Sequence, residues 1–263
     1  MKPARKYLAF VRVAATEALT ERSELYGRIV FLGVLLGVFT ALWRAVAEAG
    51  MPVAAAPNEM VWYLSTTEWI VLSSPMLFLQ IQEDVRRGDV TYQLLRPVSY
   101  VGAMLARGVG MLCVRLPAIG IAAFAWAYAF TGTVPPAGAL LVLLPVGFLA
   151  ALLLTSLHLG IGLAAFQLAE VSPLYWVTQK ALFVLGGLML PLEVYPAWLR
   201  SVAWSTPFPS MLASPAGLLL GPSPLPLEIA ALTLRIVLWL GVTLFVWSAL
   251  FRRATRSLEL GGG

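Results

Sequence analysis

The chain has 263 residues, 60% of them hydrophobic and only 12% charged, with a formal net charge of +5. A soluble domain carries about 25% charged residues, so this composition excludes an ordinary soluble enzyme and indicates an all-α polytopic membrane protein. The positive balance then reflects arginines that fix topology and meet anionic lipid, and calls for no nucleic-acid partner.

Residues 1–28 carry Lys2, Arg5, Lys6, Arg12, Arg22 and Arg28. From Tyr7 to Tyr26 the apolar positions Tyr7, Phe10, Val11, Ala14, Ala18 and Leu25 share one side, and Arg12, Glu17, Glu21 and Glu24 take much of the rest. This spacing predicts an amphipathic interfacial helix on the cytoplasmic surface. The first span is expected at 29–47, with Gly33 and Gly37 as a G-x-x-x-G face for close helix contact. An external loop with Glu48, Glu59 and no Lys or Arg leads to a second span at 60–81. Glu68 lies inside that span. An intramembrane carboxylate is either a functional group or an acid wetted at the outer interface.

Residues 82–100 are a polar island bearing Glu83, Asp84, Arg86, Arg87, Asp89 and Arg96. Each charge would cost about 2.5–3.5 kcal/mol at mid-membrane, so the island sits in water, and its arginines place it in the cytoplasm. Gly88 can turn the chain. Asp89 can cap a short helix from Val90 to about Leu95, and Pro97 disfavours helix at Arg96. Val90 and Leu94 fall on one face at i and i+4, with Leu95 beside them. Such a helix suits a contact with another protein; a solvated loop whose leucines cap the bundle is the other reading.

The third span, 101–130, carries Arg107, which can snorkel to the surface, and Arg115, two turns deeper, which needs a partner. Pro117 is expected to kink it. The fourth span, 138–166, holds His158, the sole histidine, which cannot make a multi-histidine metal site and is expected to be packed and satisfied. Ser172 and Pro173 read as N-cap and first turn of a short fifth span, 174–190, in which Lys180 snorkels inward. Residues 191–226 are rich in proline, including Pro191, Pro196, Pro207 and Pro215, and contain Glu193. They predict two short helices, 197–205 and 210–220, dipping into the outer leaflet as a re-entrant external segment. A sixth span, 227–251, contains Arg235 and ends on Arg252 and Arg253. Most of the Lys and Arg residues then lie on one side, which predicts six spans with both termini cytoplasmic. Cys113 is the only cysteine, and no Walker phosphate loop, dinucleotide fingerprint or zinc-protease motif occurs.

The run Asp84-Val85-Arg86-Arg87-Gly88 followed by Leu94-Leu95-Arg96-Pro97, with Gly187 to Pro191, Pro196, Pro207-Phe208 and Pro215 further on, resembles the membrane subunit of type-2 ATP-binding-cassette (ABC) exporters. The bacterial multidrug or daunorubicin-type permease branch is the one it looks like most. The resemblance covers nearly the whole chain, though Lys180 and His158 have no counterpart in it. It implies one permease domain over 1–263 that pairs with a second, identical or related permease in the bacterial inner membrane. A separate cytoplasmic ABC ATPase would hold the ATP and Mg, so this chain would carry no cofactor, metal or catalytic residue. The island would be the coupling helix that docks that ATPase. The cargo would be a hydrophobic or amphiphilic drug, lipid or peptide, met by the first, second and fifth spans. A lipid-modifying membrane enzyme built on Glu68, Arg115, His158 and Arg235 is an alternative, as is a secondary transporter. The first suffers from the scatter of those residues over several spans, the second from the lack of an internal repeat.

Overall fold

A computed structural model describes residues 3–50, 55–94, 98–220 and 224–261, with the side chains of 3, 4, 94 and 254–261 set aside. The described residues form helices and turns only. In chain order these are α1 (Pro3–Thr20), α2 (Arg22–Glu48), α3 (Pro57–Ser73), α4 (Leu77–Arg87), α5 (Val90–Leu94), α6 (Tyr100–Thr131), α7 (Ala137–Leu163), α8 (Ser172–Leu185), α9 (Ala197–Trp204), α10 (Phe208–Met211), α11 (Ala213–Gly217) and α12 (Pro226–Gly261). Short 3-10 turns occur at Ala164–Phe166 and Leu192–Val194. Among the described residues, four helices are long and apolar enough to cross a membrane: α2, α6, α7 with its 3-10 extension, and α12. They overlap the stretches expected as the first, third, fourth and sixth spans.

The remaining two expected spans are not single long helices. The stretch 60–81 breaks at Ser74-Pro75-Met76 into α3 and α4. Ser74 adopts an extended ψ of 124°, the conformation a residue before proline prefers, and Pro75 has no amide to continue the ladder. The Ser74 hydroxyl donates to the Ile70 carbonyl at 2.8 Å, satisfying one of the carbonyls the break orphans. The fifth stretch stops at Leu185 because Gly187 turns the chain at a φ of +67°. That left-handed conformation is cheap only for glycine.

Other boundaries also move. The amino-terminal helix ends at Thr20, so Leu25 and Tyr26 belong to α2. Pro117 lies inside α6 without dividing it. The expected helix 210–220 is two short pieces, α10 and α11, separated at Leu212 (φ −127°, ψ −68°). The Gly33–Gly37 face meets aromatic side chains of α6. A Cβ at Gly33 would lie 2.8 Å from the Trp126 ring and one at Gly37 3.4 Å from the Phe130 ring. The two glycines make room for a stacked aromatic pair on α6.

The core is built around α3, whose residues Met60 to Ile70 are all buried. Burial on every side places this helix inside the bundle, with α2, α6, α7 and α11 around it. By contrast α2 and α12 leave long apolar rows exposed, including Val30, Val34 and Val38 on α2 and Leu234, Leu238 and Phe245 on α12.

Candidate functional site

Three features gather the polar residues: the α4–α5 elbow, an ion-pair network that ties α1 and α2 to α6, and a cavity beside the α3–α4 break. At the elbow, α4 ends on Gly88 in the left-handed region (φ +77°), and α5 starts at Val90 directly after Asp89. Arg87 pairs with Glu83 at 2.6 Å. Gln93 Nε2 donates to Asp84 Oδ2 at 2.9 Å, holding α5 against α4. Arg86 donates to the Ala169 carbonyl at 3.4 Å.

The elbow's exposed surface differs from the one the sequence suggested. Val90 is buried and faces inward. Leu94 is the last residue of α5, and Leu95, Arg96 and Pro97 lie outside the described residues. What α5 presents is Tyr92, 72% exposed, with Asp89, Arg86 and Arg87 nearby. Tyr92 follows Val90 by two residues and so points to the opposite side of the helix. That geometry was available from the spacing once Val90 was placed inside.

The second feature begins with close packing of α1 on α6. Ser99 caps α6 by accepting from the Gly102 amide at 3.3 Å, and its own amide donates to the Tyr7 hydroxyl at 3.2 Å. At Gly110 a Cβ would lie 2.2 Å from the Val11 carbonyl oxygen, so only glycine allows α1 to lie this near. Arg107 does not snorkel alone: it pairs with Glu17 at 3.0 Å. Arg115, 9% exposed along its side chain, meets Glu24 at 2.8 Å and Glu21 at 3.5 Å. Glu24 also holds Arg28 at 2.6 Å, and Arg28 in turn donates to the Leu72 carbonyl near the end of α3. The acids expected to face solvent from the surface helix therefore supply the counter-charges that Arg115 needs.

The third feature is a cavity of about 260 Å³ lined by Glu68, His158, Arg28, Ser74, Tyr175 and Gln179 among apolar neighbours. His158 Nδ1 lies 3.0 Å from the Pro75 carbonyl. Its ring packs near Phe78 and Tyr175, with centroids 6.1 and 5.9 Å away. Gln179 Nε2 donates to the Tyr175 hydroxyl at 2.6 Å. Glu68 is 4% exposed, and among the described residues its carboxylate makes no ion pair or hydrogen bond. Gln82, at the far side of the break, accepts from the Val171 amide at 2.9 Å. Ser172, the expected N-cap, is instead the first helical residue of α8, whose N-cap is Val171.

The intramembrane candidates thus fall into separate places. Glu68 and His158 share one cavity, contrary to the expected scatter, and Arg115 joins them indirectly through Glu24 and Arg28. Arg235 sits in a different cavity, of about 590 Å³, with Glu193 and Glu228. It is half-buried, donates to the Trp204 carbonyl at 2.7 Å and lies 4.4 Å from the centroid of that residue's ring. Lys180 is exposed, not buried.

The proline-rich segment is held from within. Tyr63 donates to the Gly187 carbonyl at 2.5 Å, Thr67 donates to the Leu188 carbonyl at 2.8 Å, and the Ala213 amide donates to the Gly186 carbonyl at 3.0 Å. Carbonyls that this turn leaves outside any helix are thus met by protein donors. Pro191 is buried, Pro196 and Pro207 precede α9 and α10, Pro215 lies inside α11, and Glu193 is exposed. The contacts of Tyr63 and Thr67 with this turn are not among the expectations from the sequence, although hydroxyls inside an apolar run were the signal. No cluster of three or more His, Cys, Asp or Glu suited to a metal occurs among the described residues.

Residues 59–257, more than half of the chain, match the family model described as ABC-2 family transporter protein. No curated protein matches the chain.

Proposed function

We propose a function from one premise: this chain belongs to the ABC-2 transporter family, through residues 59–257. Family and apolar helices together make it a multi-pass membrane protein and the permease component of an ABC transporter. The finer reading is an exporter subunit powered by a separate ATPase, which binds the ATP and Mg. In that reading the α3–α4 pair and α8 with its re-entrant turn complete six crossings, and both termini lie in the cytoplasm of a bacterium whose inner membrane holds the protein. Two permeases, identical or related, form the path. The cargo is a hydrophobic or amphiphilic molecule of the multidrug, lipid or peptide kind.

One observation carries the docking part of this reading. The Gln93–Asp84 contact ties α5 back onto α4, so Tyr92, Asp89 and Arg86 are displayed on a helical elbow and not on a loose loop. A short, stiff, amphipathic projection can pass a push from a soluble motor into the helices behind it. Tyr92→Ala with Asp89→Arg should leave membrane insertion and thermal stability unchanged, because both side chains are exposed. Co-purification of the ATPase and ATP-driven transport should each fall at least tenfold. Full retention of the complex by the double variant, or transport by the lone chain in ATP-free vesicles, would defeat the reading.

A further inference from the structure

We propose that the cavity around Arg235 holds the zwitterionic headgroup of phosphatidylethanolamine as a resident lipid, with its phosphate on Arg235 and its ammonium on Glu193 and Glu228. These three side chains line one cavity of about 590 Å³. Arg235 makes no ion pair among the described residues, and neither does either acid beside it. A guanidinium has five N–H groups, and one goes to the Trp204 carbonyl at 2.7 Å. The others have no acceptor among the described residues. Glu228 Oε2 accepts from the Leu225 amide at 2.9 Å, which leaves Oε1 open. The Glu193 carboxylate is exposed and has no partner among the described residues. The hydroxyl of Ser214, another lining residue, is buried and unpartnered as well. Opposite charges thus share one cavity without meeting, although an arginine within an apolar helix needs a counter-charge.

A ligand that carries both charges completes the set. Phosphate meets a guanidinium in a bidentate, charge-assisted pair, and a primary ammonium brings donors to the acids. Other common headgroups fit less well. Phosphatidylglycerol would bring an anion and leave both carboxylates uncompensated. Phosphatidylcholine has no N–H to donate, and a choline needs an aromatic face. Trp204, the aromatic ring of this lining, already has the Arg235 guanidinium 4.4 Å from its centroid. Leu218, Leu220 and Leu232 line the rest of the cavity, and Leu227 and Leu234, next to Glu228 and Arg235 in the chain, are exposed. They give acyl chains an apolar track, so the ligand is a lipid and not a soluble zwitterion. The permease reading supplies only the leaflet, the outer one. The binding chemistry is independent of it, and the lipid held here is not the cargo.

The experiment is native mass spectrometry of the purified full-length chain in detergent, titrated with phosphatidylethanolamine, phosphatidylglycerol and phosphatidylcholine of identical acyl chains. The first should bind about tenfold more tightly than either of the others, the worth of one hydrogen bond to a charged group. Glu193→Gln combined with Glu228→Gln should erase the preference over phosphatidylglycerol. Arg235→Gln should weaken phosphatidylethanolamine by about tenfold on the same grounds. Equal affinities for the three lipids in the unaltered chain, or an undiminished preference in the double variant, would overturn the proposal. So would glycerophosphoethanolamine, which has no acyl chains, binding as tightly as the lipid. Should the charge variants misfold, Ala231→Trp fills the cavity from one turn before Arg235 and keeps every charge; phosphatidylethanolamine binding unchanged in that variant would overturn it equally.

Discussion

Gly110 is a position where a single methyl group would collide with the backbone of another helix. A Cβ there would lie 2.2 Å from the Val11 carbonyl oxygen and 3.0 Å from Ala14 Cβ. Even a close carbon–oxygen contact between helices is about 3.3–3.6 Å, so α1 would have to retreat by roughly 1 Å. The nearest atom is backbone, and no side-chain rotation relieves it. Overpacking of this kind costs about 1–3 kcal/mol. The retreat also stretches the Glu17–Arg107 pair, now 3.0 Å long. Gly138 in the first turn of α7 is the control, because nothing lies within 4 Å of a Cβ there. Alanine at a compatible helical site stabilises by about 0.5–1 kcal/mol. Thermal unfolding of the two variants in one detergent should thus move in opposite directions. Ala14→Gly should fail to rescue Gly110→Ala, since the main collision is with Val11. A Gly110→Ala protein that melts at or above the parent temperature would refute the packing argument.

Arg115→Met leaves Glu21 without its guanidinium and Glu24 with Arg28 alone; between the values for exposed and buried pairs, the expected loss is about 1–3 kcal/mol, read as a lower unfolding temperature. A variant as stable as the parent would show that these pairs do not hold α1 and α2 on α6. Gln82→Ala strips the acceptor from the buried Val171 amide and should cost about 1–3 kcal/mol. Hydrogen exchange should speed up selectively in the first turn of α8, and unchanged protection there would count against the cross-helix cap.

Apolar run length was enough to find α2, α6, α7 and α12, because about twenty residues must stay apolar to cross hydrocarbon. The periodicity of Tyr7, Val11, Ala14 and Ala18 likewise revealed the face that α1 buries. The break at Pro75 was missed because hydropathy does not register a missing amide, and the run 60–81 looks continuous on that scale. Ser172 falls one residue inside α8, and the Val171 amide before it is held by Gln82, 89 positions away, a partner that local spacing cannot show. That Glu68 and His158 line one cavity was hidden for a similar reason. It depends on α3 and α7 packing side by side, and on the Pro75 carbonyl being freed to orient the imidazole.

The carboxylates of the first two helices have a consequence for anyone who trims this protein to its recognisable part. The family match opens at residue 59, but Glu17, Glu21 and Glu24 lie upstream of it, and their guanidinium partners Arg107 and Arg115 lie downstream. An excised fragment starting at that boundary would keep both cations and discard every acid that neutralises them. The unit that inserts and folds is therefore larger than the unit that similarity detects.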